Sequence, residues 1–311
     1  LFRSAIAVAL LGGTTLAAAA DAGAMATIVE GRGSAIRGLA RFDVVEGLRL
    51  AADDLIHTDD RSFVRIEFDD GAAVDLGPST LAQVNHPAGR KSACAALYVL
   101  SGWIKVVNAK PDGPKKYAVC APAVQVADIT GSVVLQTDGS AAAVYVEDGK
   151  AQVTDRRGQG AKPVLLKHGN YLALTPDHPA AEFEHPVHAF VDAVPHLFRD
   201  ALPSRYAQLR GKPQVLRNRG TFAYADVEPW IDAEPALRRP FVSLWVGKLD
   251  DPAFRAGLER DLRRHPEWDP ILHPPPPPPP PPPPVADTPR PVPDSHGVST
   301  LQEPGASPAP H

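Results

Sequence analysis

Histidines and carboxylates crowd one short stretch of this 311-residue chain: His178, His185, His188 and His196, with Asp177, Glu182 and Glu184 between them. Imidazole and carboxylate are the donor set for zinc and other divalent cations, and His185 and His188 would share a face if the stretch were helical. Pro179, Pro186 and Pro195 break that scaffold and no ligand spacing repeats, so the stretch reads as a polar interdomain linker with no metal. A second acidic run, Asp53, Asp54, Asp59 and Asp60, lacks the alternating donors and distal Glu of an EF-hand loop. It reads as turn-forming aspartates at strand ends. "GQGAKP" from Gly158 lacks the Lys-Ser/Thr end of a phosphate loop, and "DSHGVS" in the tail has Val298 where a thiol nucleophile would stand. Neither a nucleophile elbow, a zinc-protease helix nor a strand-associated dinucleotide fingerprint occurs. The expectation is a protein with no cofactor that is not an enzyme.

Two cysteines remain, Cys94 and Cys120. The amino-terminal residues 1–24 carry Arg3, an apolar run from Ala5, and small residues at Ala18, Ala20, Ala22 and Ala24. That order reads as a secretory signal peptide cleaved after Ala20 or Ala24, which places the product in the periplasm. The rival is a membrane anchor, since roughly 17 uncharged residues are near the lower limit for spanning. A first residue of Leu leaves room for upstream coding sequence, in which case the run would be internal and transmembrane. Membrane contact is expected only if the run is not cleaved. In an oxidising compartment an even cysteine count predicts a structural disulfide, Cys94 to Cys120, with two buried thiols as the alternative. Closing about 25 residues would contribute roughly 3 kcal/mol. The absence of C-x-x-C argues against metal or redox work.

The elements that would carry these residues fall into three regions. From residue 28 to 176 the period is two: Val64, Ile66 and Phe68 alternate with Arg65 and Glu67, and Val144 and Val146 alternate with Tyr145 and Glu147. Gly-containing turns at Asp70-Gly71, Gly102, Asp138-Gly139, Asp148-Gly149 and His168-Gly169 punctuate the pattern. This predicts a mainly β domain with one covered face. From 187 to 273 the pattern becomes mostly helical. Phe190, Val194, Leu197 and Leu202 lie near helical spacing, and Asp251 then Pro252 form a helix start ahead of Phe254, Leu258 and Leu262. Trp230, Trp245 and Trp268 are expected to pin this module on or beside the β domain. Residues 274–311 open with eleven prolines, Pro274 to Pro284, predicting a polyproline II rod of roughly 30–35 Å and a disordered tail.

A net charge of -4 and basic runs without a stacking platform argue against nucleic acid. Three aromatics, Tyr98, Trp103 and Tyr145, would stack on sugars if they faced solvent, so a peptidoglycan- or polysaccharide-binding module is an alternative.

The β region, in order, resembles the periplasmic FecR domain. Asp70-Gly71, Leu76, Leu100, Gly102, Pro122, Gly131, Val146, Glu147 and Gly149 match in order that family's succession of Asp-Gly hairpin, Leu-x-x-Gly strand, Pro-initiated segment and closing Val-x-Val-x-x-Gly. The resemblance covers about residues 28–176. It implies an elongated, twisted β-meander or solenoid-like fold in the periplasm, without enzyme activity, working through an envelope protein or cell-wall polymer. Founding members relay a signal from an outer-membrane transporter to a sigma factor. The resemblance also implies that Glu147 and Gly149 serve turn geometry and edge chemistry. It leaves as a further alternative the periplasmic half of a transmembrane anti-sigma regulator whose amino-terminal part precedes Leu1.

Overall fold

The computed structural model describes residues 21–85, 96–108, 117–158, 160–214 and 216–274. The chain divides into two units, residues 1–273 and 274–311. The proline run beyond Pro274 lies outside the described residues.

Among the described residues, fifteen strands build the first unit. Eight short or medium strands come first: β1 (Asp21–Glu30), β2 (Gly33–Arg37), β3 (Ala40–Asp43), β4 (Arg49–Ala51), β5 (Leu55–Thr58), β6 (Phe63–Phe68), β7 (Ala73–Leu76) and β8 (Leu81–Val84). Long strands β9 (Leu97–Asn108), β11 (Val124–Thr137) and β12 (Ala142–Asp155) follow, with two-residue β10 (Val119–Cys120) between the first two. The series closes with β13 (Val164–Lys167), β14 (Tyr171–Leu174) and β15 (Ala181–Phe183).

The long strands explain the architecture, because each pairs with different neighbours along its two halves. The first half of β9 pairs with β8 and its second half with β7. β12 pairs with β14 at Ala142–Tyr145 and with β13 at Lys150–Val153. One continuous sheet is thereby folded into two layers. Layer A runs β4-β1-β6-β7-β9-β11-β12-β14-β15, and layer B runs β3-β2-β5-β8-β9-β10-β11-β12-β13. Between them sits one apolar core, to which layer A gives Val64, Ile66, Phe68, Val144 and Val146, and layer B gives Ile56, Val99, Val126 and Val153.

The expectation of one covered face is corrected: both outer faces are covered. Residues 187–209 form a strap over layer A, containing α1 (His188–Ala193), a 3₁₀ turn (His196–Arg199) and α2 (Tyr206–Leu209). Phe190 and Phe198 of the strap are buried with Phe63, Val134, Ala143 and Tyr171. Layer B is covered by α3 (Tyr224–Ile231), α4 (Pro235–Leu244), α5 (Pro252–Arg260) and α6 (Asp269–Leu272). Their Trp230, Trp245, Trp268, Phe241, Phe254 and Leu258 bury Ile36, Leu55, Tyr98 and Cys120 of the sheet. Asp251 accepts from the N–H groups of Ala253 and Phe254 and caps α5 at the position its sequence predicts, with Pro252 as the first helical residue. Residues 217–220 pass between the two covers along the edge of β3, where Asp43 N–H donates to Arg217 O and Arg219 N–H to Arg41 O.

Candidate functional site

Three glycines let the long strands cross between layers. Gly102, Gly131 and Gly149 hold φ values of +107°, +75° and +76°, where a Cβ is strained. Gly131 and Gly149 are register partners, and a Cβ on them would come within 2.4 Å of Asp148 O and 2.1 Å of Thr130 O. At Gly102 a Cβ would meet Thr80, whose hydroxyl accepts from Trp103 N–H at 3.0 Å and donates to Gly77 O at 2.9 Å. The expected turns at Gly102 and Asp148-Gly149 are therefore corrected. Both sites lie inside continuous strands, where the chain kinks and register shifts occur nearby in β8–β9 and β11–β12. The sequence cue is the same because kinks and turns both need positive φ.

The remaining motif residues do form turns or pairs. Asp70 and Gly71 join β6 to β7, and the Tyr117 hydroxyl donates to Asp70 at 2.7 Å. Pro122 sits in the tight turn between β10 and β11. Glu147 is no turn residue: its carboxylate lies 2.6 Å from Lys105 Nζ and accepts from Ser132 Oγ at 2.9 Å. Cys120 is fully buried, while Cys94 lies outside the described residues, as do Val298 and the tail motif.

Glu147 leads to a feature that sequence reasoning missed. Cross-strand pairing aligns Arg65 with Asp75, Asp75 with Lys105, Lys105 with Val134, Val134 with Tyr145, Tyr145 with Tyr171, and Tyr171 with Phe183. One row across the outer face of layer A thus changes from charged to aromatic. Arg65 Nε stands 3.1 Å from Asp75 Oδ1, within ion-pair range but off the line of a hydrogen bond. Burial pushes the Asp75 carboxyl up to about 6, against the pull of Arg65 and Lys105. Nearby Glu67 differs. Burial also raises it, but hydrogen bonds from Ser204, Thr27 and the Arg205 and Tyr206 amides outweigh burial and hold it below its usual range. The available signal was a charge at the outward position of "VRIEF", "AVDL" and "WIKVV"; only strand pairing puts those charges in one row.

The other candidates disperse. His178, His185, His188 and His196 are all exposed, and no group of three or more metal-ligating side chains assembles among the described residues. Asp54 is buried and clamped by Arg37 at 2.6 and 2.8 Å, and Asp59 pairs with Arg32 at 3.1 Å. Tyr98 lies buried under the helices of layer B, while Trp103 and Tyr145 pack on Phe190 with ring centroids 5.3 and 6.2 Å away. Sugar stacking, the alternative for these three aromatics, would need open ring faces; Tyr98 is buried, and Trp103 and Tyr145 are half-buried against Phe190.

Residues 54–152, from the Asp54 clamp through the second half of β12, match the family model described as "FecR protein". Over this segment the chain is similar to FecR proteins. The segment supplies β5 to β11, most of β12 and all three crossing glycines, while β1 to β4 and β13 to β15 extend the sheet on either side of the FecR match. Two crystal structures described as a "putative anti-sigma factor" from Parabacteroides distasonis are similar at 16% identity and a TM-score of 0.35. The likeness covers 42% of this chain, which spans 59% of theirs. No curated protein matches the chain significantly.

Proposed function

We propose that this is an exported, non-enzymatic FecR-domain protein that relays a signal in the bacterial cell envelope through contacts with another envelope protein. The observation that carries the reading is the FecR match at residues 54–152, and a regulatory role is what that resemblance implies. The two-layer unit supports it physically. A sheet closed on one core and capped on both faces is a stiff body whose covers and edges can respond to a partner. Export is read from residues 1–24, and β1 favours cleavage after Ala20. Its Ala24, Met25 and Ala26 are buried, and Ala24 pairs with both Leu50 and Phe68, so cleavage after Ala24 would cut into the core. No helix among the described residues is long and apolar enough to cross a membrane.

Transcript profiling of a deletion strain, bare and complemented, tests the relay. A bounded set of promoters should shift on deletion and return on complementation. An unchanged profile, together with co-sedimentation of the purified protein on cell wall, would replace relay by polymer binding. Should the cellular product instead extend upstream of Leu1 and stay in the membrane fraction, it is the periplasmic half of an anti-sigma regulator.

A further inference from the structure

We propose that the outer face of layer A is a peptide-binding face, with residues 187–209 as its built-in occupant, displaceable by a segment of a partner protein that takes the same partly helical path and bears two aromatic anchors. The two covers of the sandwich are held in different ways. The helices over layer B interlock large side chains, including Phe241 stacked on Trp245 at 4.3 Å. The strap over layer A combines its buried Phe190 and Phe198 with a series of bonds to its main chain. Arg65 donates to Leu202 O at 3.1 Å, Lys105 donates to Phe198 O, and Glu67 accepts from the Arg205 and Tyr206 amides at 2.9 and 3.2 Å. Any chain of suitable path presents those same backbone groups.

Sequence selection falls on the side chains, where Val194, Leu197 and Leu202 pack with two phenylalanines and Arg205 pairs with Glu46 at 2.5 Å. Phe190 seats among Trp103, Tyr145 and Tyr171 at the aromatic end of the row. Phe198 packs against Phe63 with ring centroids 6.2 Å apart, and comes so close to Gly77 that a Cβ there would lie 3.2 Å from its ring. At the charged end the Ser204 hydroxyl donates to Glu67. The fitting partner segment therefore carries aromatics eight positions apart, as Phe190 and Phe198 are, with a hydroxyl residue beyond. A face whose charges are buried and bonded to an exchangeable main chain discriminates by register more than by affinity, and a competing segment replaces the contacts one for one.

This deepens the relay reading and can fail separately from it, because strap exchange is read on purified protein and promoter response in cells. Hydrogen exchange on the full wild-type chain should show the Arg205 and Tyr206 amides exchanging through local opening, at least about a hundredfold faster than those of Trp245 and Val146. A labelled synthetic peptide of residues 187–209 should bind the Phe198→Ala protein at least about tenfold tighter than wild type. A peptide with Ser in place of both Phe190 and Phe198 should not bind. Equal protection of strap and sheet, or equal binding of the two peptides, or none by either, overturns the proposal. If the Phe198→Ala protein does not fold, hydrogen exchange on the wild type decides.

Discussion

Gly149 shows how much one missing side chain can determine. Facing Gly131 across the β11–β12 ladder, it lets two main chains approach at the point where both change layers. Gly149→Ala should lower stability by about 2–4 kcal/mol, through positive φ and the clash with Thr130 O. Gly158→Ala, which meets open space, should stay within about 0.5 kcal/mol; urea midpoints of the two variants make the comparison. Asp75 and Glu67 give a second contrast at this scale. Because the folded value of Asp75 lies near 6 against an ordinary 3.8, the native state holds its proton longer. Stability from this group falls as pH rises from about 4 to about 6, by at most about 3 kcal/mol. Asp75→Asn should therefore gain on wild type between pH 4 and pH 7 in urea titrations; a loss would mean that Arg65 and Lys105 outweigh burial. Glu67 has the opposite sign. Its folded value lies below 4.5, so its contribution is present above that pH and is lost as pH falls through the folded value.

Among the elements, α5 is specified locally and the strap is not. Asp251 caps α5 and lies 3.2 Å from Lys248 Nζ, whose side chain is buried against Phe222 and Phe254. Asp251→Ala should cost about 1–2 kcal/mol by thermal or urea unfolding, since it removes a cap and leaves a buried ammonium short of an anion. Asp251→Asn keeps the cap acceptor and should recover about half of that loss. Residues 187–209 have Phe190, Val194, Leu197 and Leu202 near helical spacing, yet form only two short helices and one 3₁₀ turn. Pro195 interrupts them, and the buried charges of layer A draw the carbonyls of Phe198 and Leu202 out of helical bonding. A helical pattern read from sequence was here a pattern of anchors.

At the scale of the whole molecule, the same sheet is covered by two successive parts of the chain on opposite faces. Stability and accessibility are therefore divided between a firmly packed side and a main-chain-bonded side. Export with cleavage after Ala20 predicts a periplasmic product that begins at Asp21, which keeps β1 whole. The pair Cys94 and Cys120 is expected to be oxidised, making the intact mass about 2 Da lighter than the reduced form. Amino-terminal sequencing and mass spectrometry of the periplasmic fraction check both; a product beginning at Met25, or an unchanged mass on reduction, would count against them.

Period-two alternation with glycine punctuation determined the mainly β character of the first half, because strand periodicity and positive φ are local properties of the chain. The cap of α5 and the burial of the three tryptophans were legible for similar reasons: few residue types satisfy a helix start, and an indole rarely finds room outside a core. The ordered motif from Asp70 to Gly149 carried the resemblance to FecR proteins, which the match at residues 54–152 bears out. Tertiary structure alone decided that Gly102 and Gly149 kink continuous strands rather than end them, since a local conformation does not say which strand comes alongside. It alone decided that Arg65, Asp75 and Lys105 form one row, and that a strap seals it. Those facts depend on register between strands distant in sequence, where a shift of one residue would turn every charge to the other face.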